Sequence, residues 1–146
     1  MERQIVFRGK RIKDGKWIFG NLADYSMKVF NTTIEKKIIF GNILNFATDN
    51  FGFVVDDCAV DPATIGQFTG MLDKNGKDLY EGDIVRYYDD IEDELVSSHV
   101  IYHKESCSFC VAPTKLCGDY IGICAHWQFE VIGNIHNNPS LISDKQ

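Results

Sequence analysis

The sequence predicts a mainly β protein with minor α content, built from short antiparallel strands, with a small barrel in its C-terminal part. Three observations predict it. About ten short runs rich in Val, Ile, Phe and Tyr are separated by Gly, Asn, Asp and Pro turn clusters at intervals of roughly eight to twelve residues. No stretch repeats apolar residues at helical spacing over the length of an amphipathic helix. Hydrophobic residues make up 45% of the 146 positions, enough to bury a core and too many for a disordered chain. Residues 1–60 read as an N-terminal β subdomain, 61–138 as the small β-barrel, and 139–146 as a tail.

Each element has its own signal. Ile5 to Phe7 opens as a strand. Asp14-Gly15 lies between alternating polar and apolar residues, a strong short-range hairpin signal because both residue types tolerate positive φ. In the following strand Trp17 and Phe19 share one face and Ile18 takes the other. Met27–Phe30, Ile38–Phe40 and Phe51–Val55 are further apolar runs, punctuated by Gly41-Asn42, Asp49-Asn50 and Gly52. Asp61 caps a short helical turn with Pro62 at its first position, where the missing N–H costs nothing, and Gly66 limits that turn. Gln67–Leu72 is a strand, and Lys74-Asn75-Gly76-Lys77 is a tight turn. Ile84–Tyr88 precedes the acidic loop Asp89–Glu94. Val96–Tyr102 and Ser108–Ala112 form a hairpin around Lys104-Glu105-Ser106. Tyr120–Ile123 and Phe129–Ile135 complete the set, and Pro139, which cannot donate to a ladder, ends it.

Charge is unevenly spread. Residues 1–37 hold nine Lys and Arg against four acids, so a chain of net charge −6 is basic at one end and strongly acidic over the rest. That polarity favours head-to-tail self-association or an acidic partner at the N-terminal end. No apolar run reaches the roughly 20 residues that span a bilayer. The charged start MERQIVFRGKR does not resemble a signal peptide, and five cysteines without an export signal point to reduced thiols in a cytoplasm.

The glycine-punctuated stretch Thr69–Tyr87 invites a phosphate or calcium reading, and its spacing excludes both. Five residues separate Gly70 from Gly76 where a phosphate loop has four, and Asp78 follows Lys77 where that loop has Ser or Thr. In Asp73–Asp78 the glycine comes fourth, not sixth as in a calcium loop. A zinc reading rests on His99, His103, Cys107 and Cys110, with Cys117, Cys124 and His126 nearby. Zinc takes four such ligands, yet on a strand Cys107 and Cys110 point to opposite faces. Cys124 and His126 share a strand face, a weak thiol–imidazole signal. A nucleic-acid reading rests on Lys10, Arg11, Lys13, Lys16 and Trp17, interleaved with Phe7, Phe19 and Tyr25 as in a stacking and phosphate-binding face; the overall negative charge opposes it.

Three blocks, IVFRGKRIKDGKWIFGNL (Ile5–Leu22), VDPATIGQFTGMLDKNGKDLYEGDIVR (Val60–Arg86) and FEVIGNIHNNPSLI (Phe129–Ile142), together resemble the YopX family. The resemblance implies a phage or prophage origin and an intracellular life, and supplies no catalytic residues. Within the middle block, Tyr80-Glu81-Gly82-Asp83-Ile84-Val85 resembles the start of a strand in SH3-like barrels, which is the basis for expecting that barrel. The expected protein is non-enzymatic, without a cofactor. It works as a homo-oligomer or by binding a phage or host protein, with a nucleic-acid module or a zinc- or thiol-dependent enzyme as alternatives.

Overall fold

A computed structural model describes residues 4–41, 55, 57–90, 93–114, 118–124 and 128–142. Its elements are β1 (Phe7–Lys10), β2 (Trp17–Val29), β3 (Thr32–Phe40), β4 (Ala59–Val60), a 3-10 turn (Pro62–Thr64), β5 (Gly66–Leu72), β6 (Asp78–Tyr80), β7 (Asp83–Asp89), β8 (Glu94–His103), β9 (Ser108–Val111), β10 (Ile121–Gly122), β11 (Glu130–Asn134) and a second 3-10 turn (Pro139–Leu141). All pairings are antiparallel. The protein is mainly β, as the sequence implied.

The chain divides into two compact units, Met1–Gln67 and Phe68–Gln146. The sequence placed a boundary before Asp61. The division instead falls within β5, because the segment ahead of it bonds back onto the first unit. Asp61 N–H donates to the Lys10 carbonyl at 2.8 Å, and Lys10 N–H donates to Thr64 Oγ1 at 2.8 Å.

In the first unit the strands run in the order β4-β3-β2-β1, with the first residues of β5 beside β1. The Asp14-Gly15 hairpin forms as expected, with Gly15 N–H donating to the Arg11 carbonyl at 2.8 Å. Asp61 caps the Pro62 turn by accepting from Ala63 N–H at 3.0 Å. The core is Ile38, Ile39, Val55, Ala59 and Val60. Trp17 is only half-buried, and Phe19 is 52% exposed, so neither belongs to this core. The strand expected over Met27–Phe30 is the end of a far longer one. β2 runs thirteen residues and returns directly as β3 through Phe30-Asn31, where Phe30 has a φ of 53°. Of the expected run Phe51–Val55, only the buried Val55 falls among the described residues.

In the second unit the rest of β5 pairs with β6, and a five-stranded sheet runs β10-β9-β8-β7-β11. Leu79, Val85, Tyr87, Val96, Val100 and Phe129 pack its core, with the Tyr87 and Phe129 rings edge to face at 5.5 Å. Among the described residues no closed barrel forms, so the small SH3-like barrel expected over 61–138 is not confirmed. Among the described residues β10 and β11 are opposite edges with one partner each, so the sheet stays open. β10 is only two residues long, too short to carry a ladder around to β11.

The stretch Thr69–Tyr87 turns two corners. Asp73 Oδ1 accepts from Asn75 N–H at 2.8 Å and Lys77 N–H at 2.9 Å, while Oδ2 reaches β11 and accepts from Val131 N–H at 3.0 Å. Lys74 N–H adds a bond to the Phe129 carbonyl at 2.8 Å. One buried carboxylate therefore closes the β5–β6 turn and fastens it to a strand more than fifty residues away. The second corner repeats the device: buried Asp83 accepts from Tyr80 N–H at 2.9 Å. Gly76 at φ 82° and Gly82 at φ 84° supply the left-handed backbone that both corners require. The Asn75 and Lys77 amides that a phosphate would need are already bonded to Asp73.

Burial raises the Asp73 pKa, but the three backbone donors outweigh it and hold the carboxyl below its ordinary value. A carboxyl lowered in the folded state stabilises the fold at neutral pH, and that contribution fades as pH falls through its depressed pKa. Asp73→Ala is expected to cost about 2–4 kcal/mol in urea unfolding at neutral pH, and Asp73→Asn less, since one acceptor survives. Both variants should flatten the acid side of the stability–pH curve relative to wild type.

Candidate functional site

The basic N-terminal residues are held by their own neighbours. Arg8 lies 4.8 Å and Lys10 5.7 Å from the centroid of Trp17, so cations already sit on the ring that a base would stack against. Arg11 pairs with Asp14, with its Nε donating to Oδ1 at 2.9 Å. Lys13 pairs with Asp57 at 2.7 Å. Lys16 is exposed on the hairpin. The hydrogen bond from Arg11 lowers the Asp14 carboxyl to about 2.

The cysteine–histidine candidates divide between a strand face and a turn. His99 and His103 lie on the same face of β8, about 13 Å apart along it at 3.3 Å per residue. Cys110 shares that face, since it stands opposite Ile101. Cys107 is in the β8–β9 turn at φ 50°, exposed, with its thiol donating to the Lys104 carbonyl at 3.4 Å. The His103 ring stacks on Tyr120 at 4.1 Å, and its Nδ1 meets Ser106 Oγ at 2.8 Å. Burial pushes the Cys110 thiol up and the His99 imidazole down, and His99 Nδ1 is buried without a hydrogen-bond partner among the described residues. The described residues bring no three His, Cys, Asp or Glu side chains into a metal-binding cluster. Cys117 and His126 lie outside the described residues, so the Cys124–His126 pairing does too.

The surface that stands out is the β2–β3 ribbon. β1 covers β2 only from Trp17 to Gly20, and β4 covers β3 only at Lys37 and Ile38. Beyond those points the two strands pair only with each other among the described residues. Register puts Tyr25 opposite Lys36, Met27 opposite Ile34 and Val29 opposite Thr32 on one face. Asp24 opposite Lys37, Ser26 opposite Glu35 and Lys28 opposite Thr33 make the other, with an Asp24–Lys37 ion pair. The ribbon is amphipathic, and its apolar face is open: Met27 is 43% exposed, Ile34 36%, and Phe30 at the tip 94%. Tyr25 hydroxyl donates to Met27 Sδ at 3.2 Å and ties that face together.

The family model described as "YopX protein" matches residues 6–143. The chain belongs to the YopX family. The YopX match takes in the Asp73–Asp83 corners, which lie in the middle block, and also most of the ribbon, which lies beyond the three blocks that carried the resemblance. No curated protein matches the chain. A solved structure, protein EF1440 from Enterococcus faecalis, is 20% identical to this YopX chain over 96% of it and 99% of that protein, with a TM-score of 0.48.

Of the apolar-face residues only Tyr25 entered a candidate site, the nucleic-acid face, since Met27, Val29 and Ile34 form no catalytic or metal-binding pattern. The signal was there as plain alternation, Tyr25-x-Met27-x-Val29, which calls for one covered face. The geometry of the basic hairpin is checked by NMR titration. Asp14 should titrate near pH 2 in this YopX protein, and Arg11→Ala should return it to the ordinary carboxylate range.

Proposed function

We propose that this YopX-family protein is a non-enzymatic interaction module of phage or prophage origin, acting in the cytoplasm of a bacterial host, with the β2–β3 ribbon as its contact element. The observation that carries this reading is the ribbon's exposed apolar face. A two-stranded ribbon is marginally stable alone in water; a third strand or a packed face is normally needed. Here the apolar side chains follow strict strand alternation, as they do where one face is covered, yet the described residues leave Met27 and Ile34 open. Covering them is worth on the order of 1 kcal/mol each. Two further features support a binding role. The chain's charge is strongly polarised, which favours association with a complementary surface. Four of the basic and aromatic candidates already have local partners: Lys10 lies over Trp17, Arg11 pairs with Asp14 and Lys13 with Asp57. Among the described residues no helix is long and apolar enough to cross a membrane.

The test separates fold from contact. Met27→Ser combined with Ile34→Ser should leave thermal unfolding within a few degrees of wild type, because these side chains lie outside both cores. The same variant should lose the association seen for wild type by size-exclusion chromatography with light scattering. Collapse of the fold in that variant would show the face to be internal packing and would defeat the reading.

A further inference from the structure

Resting on the ribbon reading, we infer that its partner is a second copy of this chain, joined edge to edge through β3 about a two-fold axis at Ile34. Such a dimer makes one continuous sheet in the order β2-β3-β3-β2. Four features of the ribbon select this occupant and this register.

The first is backbone polarity. The two-residue turn at Phe30-Asn31 makes Val29 and Thr32 a hydrogen-bonded pair, so Thr32, Ile34 and Lys36 turn their N–H and C=O groups toward β2. Thr33 and Glu35 therefore turn theirs outward, to the edge that no described strand covers. An antiparallel copy centred on Ile34 sets Thr33 against Glu35 of the second copy, and the reverse, so both outward-facing residues are satisfied twice over. A shift of one residue would turn these groups away from each other.

The second is side-chain pairing. The same register brings the two Ile34 side chains together at the axis, in the closer, non-hydrogen-bonded type of pair. Centring on Glu35 would oppose two carboxylates and would need the edge of Lys37, already taken by Val60. Centring on Thr33 would separate the isoleucines.

The third is charge. Lys28 and Glu35 have no ion-pair partner among the described residues. Across the axis, Lys28 faces Glu35 of the second copy over the short Thr33 side chain, and symmetry repeats the pair.

The fourth is the tip. With Ile34 at the axis, Asn31 of the second copy arrives beside Lys37, where β4 takes over the edge. A hollow of about 590 Å³ lies there, with Ile12, Val60 and Pro62 on one side and ribbon residues such as Tyr25, Glu35 and Lys37 on the other. It receives the 94%-exposed Phe30 ring of the second copy.

The experiment reads both state and register. Wild-type protein should run as a dimer by light scattering. Under mild oxidation Ile34→Cys should give a disulfide-linked dimer whose linked peptides, mapped by mass spectrometry, both carry position 34; Thr32→Cys should not cross-link to itself. Lys28→Glu and Glu35→Lys should each weaken the dimer about three- to tenfold, and the charge-swapped double variant should recover. A monomeric wild type overturns the dimer. An oligomer that is lost in Met27→Ser/Ile34→Ser, but neither cross-links at position 34 nor responds to the charge changes, overturns edge pairing and leaves the ribbon reading standing. An oligomer indifferent to all of these variants overturns both.

Discussion

Strand alternation sets one rule for the first unit: what β2 presents on each face and each edge must meet something. β2 is thirteen residues long, whereas β1 offers four and β4 two. β3 satisfies one edge of β2 from Asn21 to Val29, and little else follows it outward. The proximal part of the ribbon has Ile38, Ile39, Ala59 and Val60 buried around it and needs nothing more. The distal part keeps the alternation of a covered strand without the cover. Side-chain pattern and backbone pattern point the same way, since the apolar face and the outward N–H and C=O groups of Thr33 and Glu35 lie on the same few residues. Natural proteins blunt such edges with charge, proline or a bulge. Here Glu35 lies on the open edge, and in the proposed dimer it faces Lys28 of the second copy.

The second unit works by a different constraint. Its corners are held by carboxylates accepting backbone N–H groups. Asp73 alone joins the β5–β6 turn to β11, and Asp83 organises the start of β7. A buried carboxylate is costly unless its oxygens are filled, and these are filled by amides that would otherwise be orphaned by the turns. Each cost cancels the other. The residues that look most like a ligand loop, Asp73 to Asp83, are for that reason the least available to a ligand.

Much of this was legible in the sequence. Asp14-Gly15 and Lys74–Lys77 turned where glycine and asparagine said they would, and the strands of the five-stranded sheet fell close to their apolar runs. The Asp61 cap and Pro62 turn were readable because capping chemistry is local. What escaped was long-range or unmarked. The Phe30-Asn31 turn carries neither Gly nor Pro, and a phenylalanine at positive φ is not a turn signal, so one long ribbon read as separate pieces. β4 and β6 are two and three residues long, too short for any period to register. Trp17 read as a stacking residue, but Arg8 and Lys10 claim its ring, a contact between strands that spacing cannot show. Barrel closure depends on how far the edge strands reach, and the edge strand Ile121–Gly122 covers only two residues. His99, His103, Cys107 and Cys110 were close in sequence, but the fold spreads three of them along one sheet face and leaves Cys107 in the turn.

Amide hydrogen exchange followed by NMR tests the central claim most directly. In a free ribbon the outward N–H groups of Thr33 and Glu35 face water and exchange at nearly the rate of an open chain, while the inward N–H of Ile34 is slowed. With two β3 edges joined about Ile34, the Thr33 and Glu35 amides should be protected to the level of Ile34, and their protection should fall on dilution. Fast exchange at Thr33 and Glu35 at every concentration, beside a protected Ile34, would contradict it.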